Sequence, residues 1–293
     1  MNIFTNETNI NLHAFKKGIR IDGRNFLKNR TLTMIIGPKK GLCDICQGGT
    51  RVIISSFVQP ISQKENGGNY SACSFDIKIS EKKSTTFSNS INFFNTTNNL
   101  IVNEIKKILN YIFTQEKTSY LKDFSPNSEG VNWITKFKIF ILENKGNLKD
   151  IITLGISLIN SSNNFSKYIF NGQIFDFNLQ FDFKRLPIHT LSACPLSFSF
   201  VIMETLEGEH LMLFDPTNYE EYISICKLTI ILSAKNEIKY IISGIGPGLN
   251  ENNIKEALRI SLKRNYEIRK ILKNVLIKKK NLFKSKETIL VTE

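Results

Sequence analysis

The chain has 293 residues, 41% of them apolar, and a formal net charge of +13. That apolar share, with 22 phenylalanines, supports a sizeable core and excludes wholesale disorder. No run of about 18 apolar residues occurs, which excludes a membrane-spanning helix.

The opening "MNIFTNETNI" lacks a basic stretch followed by an apolar one, so no secretory signal is expected. Five cysteines, an odd number without paired spacing, fit a reducing compartment. The charge favours polyanions, nucleic acid before acidic membrane, although a Lys-, Asn- and Ile-rich composition accounts for part of it.

Residues 8–19 read as a short helix, and Gly23 marks a turn. "RTLTMIIG", with Leu32, Met34 and Ile36 alternating, reads as a strand. "GLCDICQGGTRVIISSFVQPIS" reads as β-rich, with Val52, Ile53, Ile54 and Phe57 buried on both faces. The Pro38–Gly41 turn between the two suggests a hairpin. Residues 61–70 and 80–98 read as polar loops flanking a half-buried strand, "SACSFDIKIS". Asn99–Gln115 has the apolar spacing of an amphipathic helix. "WITKFKIFILEN" alternates as a strand, and "NLKDIITLGISLIN" predicts a helix buried on most faces. After a second polar loop, 161–173, come strands at "FNLQFDF", "PLSFSFVIME", "HLMLFDP", "KLTIILSA" and "EIKYIIS". A long helix from about Asn252 to Ile277 closes the pattern, which is that of an α+β domain in two similar halves.

Several motifs have a chemical and a plain reading. Cys43-x-x-Cys46 has no second ligand pair at zinc spacing, so core cysteines are the favoured reading and no metal is expected. His13, His189 and His210 sit in no catalytic or metal motif. Gly48–Thr50 and the glycines 244, 246 and 248 lack the Lys-Ser/Thr of a phosphate loop, so turns are favoured and no cofactor is implied. "DPTNYEEY", Asp215–Tyr222, offers paired carboxylates for metal or acid/base work, with a solvated turn as the default. Residues 261–280 hold eight Lys/Arg and one Glu. Apolar residues at 262, 266, 268, 271, 272, 275 and 276 make this an amphipathic helix with a basic face, either a phosphate attractor or a solubilising surface.

Read together, "RIDGR" at 20–24, then Arg30, a hairpin and "GGTRVI" resemble the start of the RNase PH family. These are phosphorolytic exoribonucleases and ring subunits of the RNA exosome. "WITKFKIFILENKGNLKD", "LPIHTLSACPLSFSFVI" and "LMLFDPTNYEEYISICKLTII" are similar to later family segments in the same order, so the resemblance spans about residues 8–277. It implies the RNase PH fold, α+β in two βαβα-like halves like the second domain of ribosomal protein S5. It also implies one domain over 1–280, with halves at about 20–160 and 174–277 and a tail at 281–293.

The resemblance places the family's phosphate turn, Gly-Thr-Arg-Thr/Ser, at 146–150, with Leu148 where Thr would stand, Lys149 for the Arg and Asp150 for the hydroxyl. Leu donates no hydrogen bond, Lys lacks the bidentate fork, and Asp repels phosphate. The family's acidic pair falls on Glu221 and Lys227, so one carboxylate has become a cation. The arginines of the first long helix are also missing, since "NTTNNLIVNEIKK" has no basic residue before Lys106. The resemblance therefore implies an inactive ring subunit, with no catalytic residue. Its expected partners are other RNase PH-like exosome subunits in a hetero-hexameric ring, S1/KH-type cap subunits and RNA, with no membrane. Its expected location is the nucleus, nucleolus and cytoplasm. Arg24, Arg30, Arg51 and Lys149 are candidate RNA or interface contacts, while Arg20, Asp22, Gly23 and Arg24 are read as architectural. The alternatives are an active phosphorolytic 3′–5′ exoribonuclease and a standalone basic RNA-binding protein.

Overall fold

A computed structural model describes residues 14–15, 17–37, 41–62, 73–80, 88–115, 131–162, 194–205, 207–244, 246, 249–282 and 289–292. Ten strands form two sheets. In chain order the strands are β1 (Leu32–Ile36), β2 (Leu42–Gln47), β3 (Thr50–Ser62), β4 (Cys73–Ile79) and β5 (Val131–Glu143), then β6 (Leu196–Glu204), β7 (His210–Phe214), β8 (Cys226–Leu232), β9 (Ile238–Ser243) and β10 (Ile289–Thr292). The helices are α1 (Ser88–Gln115), α2 (Leu148–Ser162), α3 (Asn218–Ile223) and α4 (Glu251–Leu282).

The first sheet has the order β10-β1-β2-β3-β5-β4 and the second β7-β6-β8-β9. All pairings are antiparallel except β4 with β5, which α1 connects as a crossover. In β1 the alternation is borne out: Leu32, Met34 and Ile36 are buried and the residues between are half-buried. In β3, Val52 and Ile54 are fully buried while Ile53 and Phe57 are only partly so, which leaves that face half open.

Helix α2 lies between the sheets, against β2 and β3 on one side and β6 on the other. Every residue from 151 to 160 is therefore buried, and each large aliphatic side chain there contributes roughly 1.5–3 kcal/mol. Gly155 permits the close approach, because a Cβ there would stand 2.4 Å from Ile54 Cδ1. Phe75 stacks on Phe137 at 5.4 Å and meets Phe113 at 5.5 Å, tying α1 to β4 and β5. A smaller cluster of Phe15, Val201, Met203 and Leu213 fixes the N-terminal segment to β6 and β7.

The structure differs from the sequence reading at further points. The 80–98 loop is helical from Ser88, so α1 has 28 residues. Asn, Ser and Thr are weak helix formers, but an established helix propagates through them. "DPTNYEEY" is not a solvated turn: Thr217 caps α3 through a capping box with Glu220. Helix α4 runs on to Leu282. Residues 289–292, expected to be tail, pair with β1 at the sheet edge.

The buried stripe of α4 is also displaced: Leu262 and Tyr266 are exposed while Ser261 and Asn265 are fully buried. The Asn265 amide donates to Ser233 O at 3.0 Å and Asn236 Oδ1 at 2.7 Å, so the β8–β9 turn selects a polar partner. The readings at Pro38–Lys40, 63–70, 81–87 and 163–173, and most of the helix at 8–19, lie outside the described residues. So do the "FNLQFDF" strand, His13 and His189.

Candidate functional site

Several of the motifs singled out in the sequence converge on one carboxylate. Asp215 follows β7 with φ +50° and is fully buried. It accepts from Arg30 N (2.8 Å), Arg30 Nε (3.1 Å), Arg30 Nη2 (2.8 Å), Arg24 Nη1 (3.3 Å) and Asn147 Nδ2 (2.8 Å). Burial alone would raise this carboxyl, but Arg30's hydrogen bonds and charge, with Asn147's bond, outweigh it and hold the carboxyl below its ordinary value. A carboxylate so saturated has no lone pair left for a metal or a proton relay.

The remaining donors of Arg30 go to backbone. Nη1 donates to Lys145 O at 2.9 Å, and Nη2 to Gly146 O at 3.2 Å and Pro216 O at 3.3 Å. The glycine of "GGT" explains how this side chain fits: a Cβ on Gly48, at φ +52°, would overlap Arg30 Cδ. Thr50 completes the motif, its Oγ1 donating to Gly146 O at 2.8 Å and accepting from Lys145 N at 3.0 Å. Arg20 makes a second clasp. Its Nε and Nη2 grip Glu220 at 2.9 and 2.5 Å, while Nη1 and Nη2 donate to Phe214 O at 2.8 Å and Asp215 O at 3.0 Å. "RIDGR", Arg30, "GGT" and "DPT" thus form one buried hub joining the N-terminal segment, the first sheet and the second.

This geometry decides between the readings of the arginines. Arg30 is 7% exposed and, like the fully buried Arg20, has its guanidinium committed to the hub. Arg30 is therefore corrected from a candidate RNA contact to a structural residue. Arg24 is largely committed too, donating to Asp22 Oδ2 at 2.6 Å and Lys28 O at 2.8 Å besides its Asp215 contacts. Arg51 stands apart, half-exposed on the first sheet and paired with Asp44 at 2.6 Å. Lys149 reaches Glu104 of α1 at 2.7 Å.

The residues assigned to the altered phosphate turn do come together. Gly146 (φ +100°) and Asn147 (φ +58°) bend the chain into α2. Leu148 is buried. Asp150, in the first turn of α2, accepts from Ser199 N and Ser199 Oγ, both at 2.8 Å. Glu221 Oε1 accepts from Asn147 N at 2.6 Å. Burial raises the Glu221 carboxyl, Asp150 adds to this, and the Asn147 bond with Lys227 and Lys149 opposes it. Burial likewise raises Asp150 against the bonds from Asn147 and Ser199.

The sign for Asp150 follows. A carboxyl raised in the fold binds its proton more tightly there, so stability falls as pH climbs from the ordinary carboxylate range, about 4, through the raised value. Asp150→Asn cannot ionise, so its stability relative to the wild type is expected to be better at pH 7 than at pH 3, although it gives up one of the two oxygens that accept from Ser199. Urea unfolding at the two pH values reads the difference.

Sequence reasoning missed Asn147 and Ser199. The left-handed Asn beside a glycine was a legible signal; Ser199, a strand residue among apolar neighbours, carried none. Cys43 and Cys46 point to opposite faces of β2, and none of the described cysteines is in a disulfide. Among the described residues no cluster of His, Cys, Asp and Glu could hold a metal.

With the fold in view, its class is clear: an α+β, two-sheet RNase PH fold. Residues 195–264 match the "3' exoribonuclease family, domain 2". No curated protein matches the chain in sequence. Among solved structures, a chain of the Archaeoglobus fulgidus exosome with RNA bound to the active site aligns with TM-score 0.65 and 20% identity, over 92% of this chain and 99% of its own. An archaeal exosome core chain gives 0.61 and 19%, over 92% and 97%. Rice (Oryza sativa) Rrp46 gives 0.52 and 14%, over 88% and 99%.

Proposed function

We propose that the chain is a non-catalytic RNase PH-like ring subunit of an RNA exosome, of the polymyositis–scleroderma autoantigen type. In this reading the chain is a single domain, with residues 289–292 completing the edge of its first sheet as β10. The domain sits in a hetero-hexameric ring with other RNase PH-like subunits and S1/KH-type caps above it. It guides RNA toward 3′–5′ processing and decay, including rRNA maturation, in nucleus, nucleolus and cytoplasm. The likeness in fold to exosome core chains supports the setting.

One observation carries the loss of catalysis. Phosphorolysis needs cations and hydrogen-bond donors converging on inorganic phosphate. At the start of α2 the Asp150 carboxylate is instead bonded to Ser199, beside the buried side chain of Leu148 and near the carboxylate of Glu221. Two acceptor-bearing carboxyl groups stand where the resemblance puts an anion, and Lys149 is drawn off by Glu104.

Phosphate-dependent release of nucleoside diphosphates from RNA by the purified full chain is the test. No release above a no-protein control is expected. Release that rises with phosphate establishes the second reading, an active phosphorolytic enzyme with Glu221 as its acid.

A further inference from the structure

The outer face of α4 belongs to none of the machinery above. Arg259, Lys263, Tyr266, Lys270 and Lys273 follow one another at steps of four, three, four and three residues, so they form one line along the helix. At about 1.5 Å per residue that line is roughly 21 Å long. All five are exposed, Tyr266 by 69%. Among the described residues, none of the four cations pairs with a carboxylate; the nearby acid Glu267 is taken by Arg264 at 3.0 Å. The opposite face, with Ala257, Leu272 and Val275, is buried in the core.

We infer that this face is a docking track for single-stranded RNA, separate from the turn at 146–150. Four unpaired cations in line supply phosphate contacts, and the tyrosine at their midpoint supplies a π-face for an unstacked base. Membrane docking does not fit, because a helix that inserts into lipid needs a free apolar face and that of α4 already covers the sheet. An acidic protein partner would satisfy the cations but gives no use to an exposed ring in the middle of them. The inference does not depend on the proposed ring role, since it concerns binding by the chain itself.

Fluorescence anisotropy of the full chain with a labelled 20-nucleotide polyuridine tests it across a salt series. Four neutralisations together, Arg259→Gln, Lys263→Gln, Lys270→Gln and Lys273→Gln, are expected to reduce the slope of log affinity against log salt by about 3, at about 0.7 per phosphate contact. Tyr266→Ala is expected to weaken binding about tenfold with the slope unchanged. A control set on other faces, Lys28, Lys78, Lys138 and Lys235 changed to Gln, is expected to shift the slope by less than 1. Circular dichroism confirms that each variant is folded. Equal shifts from the two sets would mean diffuse charge and overturn the track. Full binding by the Tyr266 variant, or displacement of the RNA by polyglutamate at equal charge, would overturn it as well, the latter in favour of an acidic protein partner.

Discussion

Asp215→Ala is expected to destabilise the chain by about 3–5 kcal/mol, the loss that follows when one partner of a buried ion pair is removed. The substitution leaves Arg30, 7% exposed, bonded to backbone carbonyls but without its hydrogen-bonded carboxylate, and takes a contact from Arg24. It also removes the bond from the Asn147 amide, at a residue whose Oδ1 already lacks a partner. Thermal unfolding should drop by about 6–10 °C for a chain of this size. The pH dependence has a definite sign. Asp215 is held below its ordinary value, so its contribution is complete above about pH 4 and is lost as pH falls through the depressed value. The wild-type advantage over the variant should therefore shrink on acidification. An unchanged melting temperature at pH 7 would show that the hub is not what joins the two sheets.

Gly146→Ala is expected to be nearly as damaging, by about 3 kcal/mol or more. A Cβ there would stand 2.4 Å from both Asn218 N and Thr217 C and 2.7 Å from Pro216 O, which is backbone that cannot swing aside. The φ of +100° adds strain of about 1–3 kcal/mol for any residue with a Cβ. Gly208→Ala separates the two effects, since Gly208 shares a positive φ of +80° but has open space around it. Its loss should be confined to about 1 kcal/mol. Gly146→Ala should also couple to Asp215→Ala, because Arg30 Nη2 donates to Gly146 O and Asp215 Oδ1 alike. Denaturant midpoints of the single and double variants measure this. Matched losses at Gly146 and Gly208 would mean that φ alone matters and that the turn is not pressed against the cap of α3.

Much of this was readable from the residues. Alternation placed β1 and β4, and the apolar spacing of 148–159 marked a helix buried on most faces, though not that two sheets bury it. The hub was half-readable: the arginines and glycines announced a constrained turn, but their common partner, Asp215, lay about 190 residues away and looked like a surface acid. Only the tertiary structure brings such groups together. The stripe of α4 was misplaced for a related reason. Apolar count favoured Leu262 and Tyr266, yet the β8–β9 turn offered Ser233 O and Asn236 Oδ1, and a buried amide that finds partners outcompetes a tyrosine that does not. At the candidate site, the lost guanidinium fork at Lys149 and the charge changes at Asp150 and Lys227 were visible in the sequence. The tie between Asp150 and Ser199 was not, and it is what turns a missing hydroxyl into an occupied position.

The most direct measurement is native mass spectrometry of the tagged full-length chain purified from its own cells. The account predicts a complex of several RNase PH-like chains in which this one is present once per three-pair ring. Recovery of the chain alone, or as a homo-oligomer that releases nucleoside diphosphates with phosphate, would contradict it.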